Sequence, residues 1–89
     1  MIFEMKKFGS ILNSRPAGRE AVLRVQQLFN GNKDLELIFD FREVEILTPS
    51  FADEFFSGIK RIFEGKSFKI INYEGRAVLE EVLKGLMLV

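Results

Sequence analysis

The sequence predicts an α/β fold: a small, mainly parallel sheet with helices, in the order β-α-β-α-β-α, over a single domain spanning residues 1–89. Three observations predict it. Short segments rich in Ile, Leu and Phe alternate with stretches whose apolar residues recur every three or four positions. Helix start and stop residues punctuate the boundaries between them. Strands separated by helices pair in parallel through right-handed crossovers.

The first element is a strand over Ile2 to Phe8, where β-forming residues alternate weakly with polar ones. Gly9-Ser10 marks a turn or bulge. Ile11-Leu12 then leads to Ser14, a good N-cap, with Pro16 in the first turn of a helix. Ala17, Ala21, Val25 and Leu28 share one face of that helix, and Val22 and Phe29 widen it. Asn30-Gly31-Asn32 stops it, since Gly31 can adopt the left-handed C-cap conformation.

Leu35 to Phe41 is the clearest strand. Its centre is apolar on both faces, as expected of a middle strand covered by helices on one side or both. Val44, Ile46 and Leu47 read as a short buried connection. Thr48-Pro49 reads as N-cap and first residue of a second helix. Phe51, Phe55, Ile59 and Ile62 form one stripe on it, and Ala52, Phe56 and Phe63 a second. The two stripes are wide for one buried face, which predicts an exposed Phe or two as a surface for a partner or for a homodimer. Gly65 ends this helix, Ser67 to Tyr73 forms the third main strand, and Glu74-Gly75 turns into a last helix. That helix carries Val78, Leu79, Val82, Leu83 and Leu86 on one face.

Composition narrows the chemistry. With neither Cys nor His, the chain has no thiolate nucleophile, no disulfide and no Cys-based zinc site. It also lacks the usual side chain for acid–base work near neutral pH. Serine-hydrolase triads, zinc hydrolases and phosphohistidine relays are excluded, and no cofactor or metal is expected. Basic and acidic residues balance to a net charge of zero, which gives no overall attraction to nucleic acid or an anionic membrane. The balance hides an asymmetry. Residues 1–33 hold six basic groups against two acidic ones, and residues 34–89 hold seven against eleven. The economical reading is a fold whose two parts attract each other. No apolar run approaches a membrane span and no signal peptide opens the chain, so a soluble, cytoplasmic protein is expected.

The segment LIFDFREVEILTPSFADEFF, Leu37 to Phe56, resembles the STAS superfamily, named for sulfate transporters and anti-sigma factor antagonists. More closely, the chain resembles the STAS-like domains of unassigned function. The residues that carry this are Ser14-Arg15 with Ala17, Asp40-Phe41 with Val44, and the Phe51-Ala52-Asp53-Glu54 block. A third strand ending at Asn72, followed by Val78, also fits, and the likeness covers about residues 8–86. The resemblance implies a bacterial-type regulatory module without enzymatic activity that docks to a signalling protein. The partner it implies is a histidine-kinase-like ATPase or an anti-sigma factor. It also implies docking through loop 42–48 and the start of helix 49–64. Carried onto this chain, the family's phosphoacceptor position is Ser50. The usual Asp-Ser-Ser-Gly block reads Thr48-Pro49-Ser50-Phe51 here.

Several residues invite a chemical role. A phosphate on Ser50, at the second helical position, would meet free backbone N–H groups and the positive end of the helix dipole. Ser50 can equally be an ordinary first-turn residue, or an N-cap boxed with Asp53. Asp53 and Glu54 project about 100° apart, so they do not face each other as a carboxylate pair. They either clasp Arg15, or remain solvated, or touch a partner. Asp40 ends the central strand, where open α/β sheets bind ligands; alternatively its carboxylate accepts from turn amides before Val44. Gly75-Arg76 opens the last helix as a candidate anion site, and the loops after Asp40 and Tyr73 form the alternative, a small-ligand or nucleotide module. Arg15, Arg19 and Lys6-Lys7 could gather into a basic patch, although no aromatic interleaving supports nucleic-acid readout.

Overall fold

The structure is a computed structural model that describes all residues, 1–89. The observed order is β1 (Ile2–Glu4), a 3₁₀ turn (Met5–Phe8), β2 (Ile11–Leu12), α1 (Arg15–Phe29) and β3 (Glu36–Asp40). There follow β4 (Ile46–Leu47), α2 (Pro49–Ile62), β5 (Ser67–Ile71) and α3 (Ala77–Gly85). Every strand pair is parallel, as the alternation predicts. The strands divide into two sheets, a three-stranded one in the order β1-β3-β5 and a two-stranded one of β2 and β4.

The clearest strand of the sequence is indeed the middle one. The register aligns Phe3 with Phe39 and Phe39 with Ile70, and all three are buried. The opposite face carries Glu4, Asp40 and Lys69, with Ile38 and Ile71 half-buried. The helices therefore cover one face of this sheet. Phe39 is the hub beneath them: its ring lies 5.3 Å from Phe55, 5.6 Å from Phe56 and 5.6 Å from Phe3, centroid to centroid. Such edge-on and stacked pairs add about 0.5–1.5 kcal/mol each beyond the area they bury.

The first strand is shorter than its sequence suggests. Had it continued to Phe8, alternation would have put Phe3, Met5 and Lys7 on one face and driven the Lys7 ammonium into the core. The chain instead curls at Met5. Met5 is fully buried, Phe8 turns in against Phe55 at 6.4 Å, and Lys7 stays in solvent. The stretch around Val44–Leu47 is not simply a buried connection. Val44 and Leu47 are buried, but Ile46 is 43% exposed because residues 46–47 pair with β2, in register Ile11 to Ile46 and Leu12 to Leu47.

Helices α1 and α2 follow these paired short strands and run side by side in the same direction. Residue i of α1 sits near i+36 of α2: Gly18 lies against Phe51, Glu54 and Phe55, and Val22 against Gly58. Both glycines are buried, and a Cβ at Gly58 would stand 2.8 Å from Cγ2 of Val22. Close approach of the backbones is what they provide. The buried face of α1 is Gly18, Ala21, Val22, Val25 and Phe29, while Leu28 lies on the flank, 47% exposed. On α3, Leu79 and Leu83 are buried and Val78 is exposed.

The expected exposed Phe is not found on α2. Phe51, Phe55 and Phe56 are all buried, since α2 is covered by α1 and α3 as well as by the sheet. The uneven charge of the chain closes on itself. Met1 pairs with Asp34, Lys6 with Glu43, Arg15 with Asp53, and Arg19 with Glu54, each joining the basic first third to the acidic remainder.

Candidate functional site

The β2–β4 pair fixes where both long helices begin. The N–H of Thr48 donates to the Leu12 carbonyl at 3.0 Å, which ties the two helix entrances together. Ser14 caps α1 as its sequence predicts, accepting from the Ala17 N–H at 3.3 Å, with Pro16 in the first turn. Thr48 caps α2, accepting from the Phe51 N–H at 3.3 Å, with Pro49 as the first helical residue. Ser50 is therefore the second residue of α2 and exposed. It is not the N-cap, so the alternative in which it boxes with Asp53 does not hold.

Ser14 has an unusual backbone, with φ 76° and ψ 149°. That region belongs almost entirely to glycine and costs roughly 1–3 kcal/mol for other residues. The strain sits at the joint between β2 and α1.

Beside the caps lies the expected clasp. Arg15 Nη1 donates to Asp53 Oδ2 at 2.8 Å and stands 3.6 Å from Glu54 Oε1. Arg19 reaches the same Glu54 oxygen at 3.9 Å. The hydrogen bond to Asp53 raises the Arg15 pKa above its ordinary value; limited desolvation opposes this, and the charges of Asp53 and Glu54 add to the rise. The proposed basic patch is thus absent: Arg15 and Arg19 face carboxylates, Lys6 pairs with Glu43 at 3.1 Å, and Lys7 lies 3.9 Å from Glu4.

At the far end of β3, Asp40 accepts from the Arg42 N–H at 2.9 Å and from the Asn72 side-chain amide at 2.8 Å. Burial pushes the Asp40 carboxyl up. The Asn72 and Arg42 hydrogen bonds, with the charges of Arg42 and Lys6, outweigh burial and hold it below its ordinary value. Asp40 is a turn-building residue, and no group of three acidic side chains gathers around it.

Arg76, a candidate anion site by its sequence position, has a different occupation. Its guanidinium donates to the backbone carbonyls of Phe41 (2.7 Å), Asn72 (3.3 Å) and Val44. It stitches loop 41–44 to the turn after β5. No sequence signal finds this role, because two of its three targets, the Phe41 and Val44 carbonyls, are backbone atoms 35 and 32 residues away. The cavity left beside Asp40, lined by Glu4, Lys6 and Arg42, measures about 20 Å³. That is room for about one water, far short of a nucleotide.

The surface that remains around the helix entrances is compact. Ile11 and Ile46 lie side by side in register, 53% and 43% exposed. Ser14, Arg15 and Ser50, at the starts of the helices that follow these strands, are exposed, while Pro49 and Asp53 are partly so. Phe51, expected at a partner surface, is 1% exposed and belongs to the core.

A family model described as a STAS-like domain of unknown function matches residues 21–77. No curated protein and no solved structure matches the chain.

Proposed function

The chain belongs to the family of STAS-like domains of unknown function, and on that premise we propose that it is a non-enzymatic regulatory module that docks to a partner protein. The docking surface is the exposed part of loop 42–48 together with the start of α2, enlarged by Ile11. The observation that carries this reading is the Ile11–Ile46 pair. Two aliphatic side chains, adjacent in register, stand in solvent where the two long helices begin, and an apolar spot among polar residues is how interaction sites look.

The partner fitting the resemblance is a histidine-kinase-like ATPase or an anti-sigma factor, with Ser50 as its phosphoacceptor. Ser50 is suitably placed for a switch. A phosphate there adds about two negative charges beside two Ile side chains that docking must dehydrate, so it would oppose association while gaining from the helix dipole. An enzymatic role gains no support from the inventory, which lacks both His and Cys.

The test is affinity capture with the wild-type chain and with Ser50→Asp, the captured proteins being identified by mass spectrometry. An ATPase of that type should be retained by wild type and lost with Ser50→Asp. Retention by every variant between residues 42 and 54 would overturn the surface.

A further inference from the structure

We infer that the free edge of β1, with the groove between it and α1, receives an extended acidic peptide segment of a partner protein as an added strand. This site shares no residue with the surface proposed above and does not depend on it.

The first observation is topological. β1 pairs only with β3 and forms one edge of the three-stranded sheet. Its outer backbone groups are a template for another strand. Natural edges are usually covered, but here the consecutive residues Ile2, Phe3 and Glu4 line a cavity of about 470 Å³. A groove of that size lies within the range that holds ligands.

The second observation is chemical. The groove's apolar wall comes from Ile2, Phe3, Phe8 and Leu28, and Ile2 and Leu28 are 59% and 47% exposed. Leu28 of α1 is turned away from the core, so the helix offers an aliphatic side chain to this groove. Such a wall suits alternate apolar side chains of an extended peptide.

The third observation decides the occupant. Lys7 and Arg24 line the groove with a single carboxylate, Glu4. Arg24 has no ion pair within 4 Å, and Lys7 only the distant one to Glu4. Elsewhere Lys6, Arg15 and Arg19 meet carboxylates of the chain itself. Two basic side chains against one carboxylate leave the groove net positive, and this complements a strand with acidic residues between its apolar ones. A second copy fits less well. A two-fold contact brings the same surface against itself, and the net positive rims would then repel.

The test uses three capped hexapeptides. One is Asp-Val-Glu-Ile-Asp-Val; the second has Lys at every acidic position; the third is the acidic peptide with its central amides N-methylated. Binding is followed by backbone amide chemical shifts of the intact chain. The acidic peptide should bind and shift Ile2, Phe3, Glu4 and Leu28, and the N-methylated one should not. Lys7→Glu combined with Arg24→Glu should weaken binding by about tenfold while the melting curve, which depends on neither exposed side chain, stays unchanged. Equal binding of the Lys peptide, shifts confined to other surfaces, or no binding would overturn the proposal. So would concentration-dependent shifts at Ile2–Glu4 without peptide, which would assign the edge to a second copy.

Discussion

Arg15, the first residue of α1, donates to Asp53 of α2 at 2.8 Å, across 38 positions of sequence. The contact joins two helices that already pack through Gly18 and Gly58, and it lies in solvent. Exposed ion pairs of this kind contribute little and are screened by salt. In a double-mutant cycle of Arg15→Ala and Asp53→Ala, a small favourable coupling is expected at low ionic strength, disappearing near about 1 M salt. Coupling that survives high salt would mean the pair does more than pin the helix entrances.

Ser14 should be improvable. Its side chain caps α1, but its backbone stands where glycine is at ease. Replacing a capping Ser by Gly costs only a few tenths of a kcal/mol, and relief of the backbone returns roughly 1 kcal/mol or more. Ser14→Gly should raise stability in urea unfolding by about 1 kcal/mol, whereas Ser14→Ala, which loses the cap and keeps the strain, should lower it by about 1 kcal/mol.

Gly58→Ala sets two effects against each other. Helix propensity favours Ala by about 1 kcal/mol, but the new methyl would stand 2.8 Å from Val22 Cγ2. Overpacking of this kind costs about 1–3 kcal/mol, and Val22 is stiff about χ1. A net loss of about 1 kcal/mol is expected, and Val22→Ala in the same chain should relieve the clash. Equal losses from Gly58→Ala with and without Val22 would show that the helices do not meet there.

Asp40 gives the fold a pH dependence. Its folded pKa lies below its unfolded one, so its contribution is present above the unfolded value of about 3.9 and is lost as pH falls through the folded value. Asp40→Ala, which removes two hydrogen bonds, should cost about 1–2 kcal/mol at neutral pH. The gap between variant and wild type should narrow below about pH 4. A gap independent of pH would contradict the ionised acceptor.

Much of this architecture is legible in the residues. The apolar run through Leu37 and Phe39 identifies the middle strand because burial on the helix side demands it. Ser14 and Thr48, each followed closely by Pro, mark the helix entrances because caps and rings have positional rules. Two-residue strands are different. Ile11-Leu12 and Ile46-Leu47 are too short to show a period, and they become strands only because each pairs with the other at long range. The curl at Met5 is likewise decided by tertiary packing, which keeps the Lys7 charge in water. The width of the Phe stripes on α2 is visible in the sequence, but not that α1, α3 and the sheet together cover it. Of the candidate site, the clasp of Ser14-Arg15 with Asp53-Glu54 is legible as one of three alternatives, and Thr48 as the cap of α2. The exposed Ile46 and the reach of Arg76 to backbone carbonyls were not.

The central claim is that the Ile11–Ile46 end of the domain is the surface that binds a regulatory partner. The most direct measurement is the affinity of the captured ATPase-type partner for wild type and for Ile46→Asp, by titration calorimetry. Ile46 is exposed on a two-residue strand, so its replacement should leave the fold intact. The account predicts at least about tenfold weaker binding with a melting temperature close to wild type. Unchanged affinity for a folded Ile46→Asp chain would contradict it.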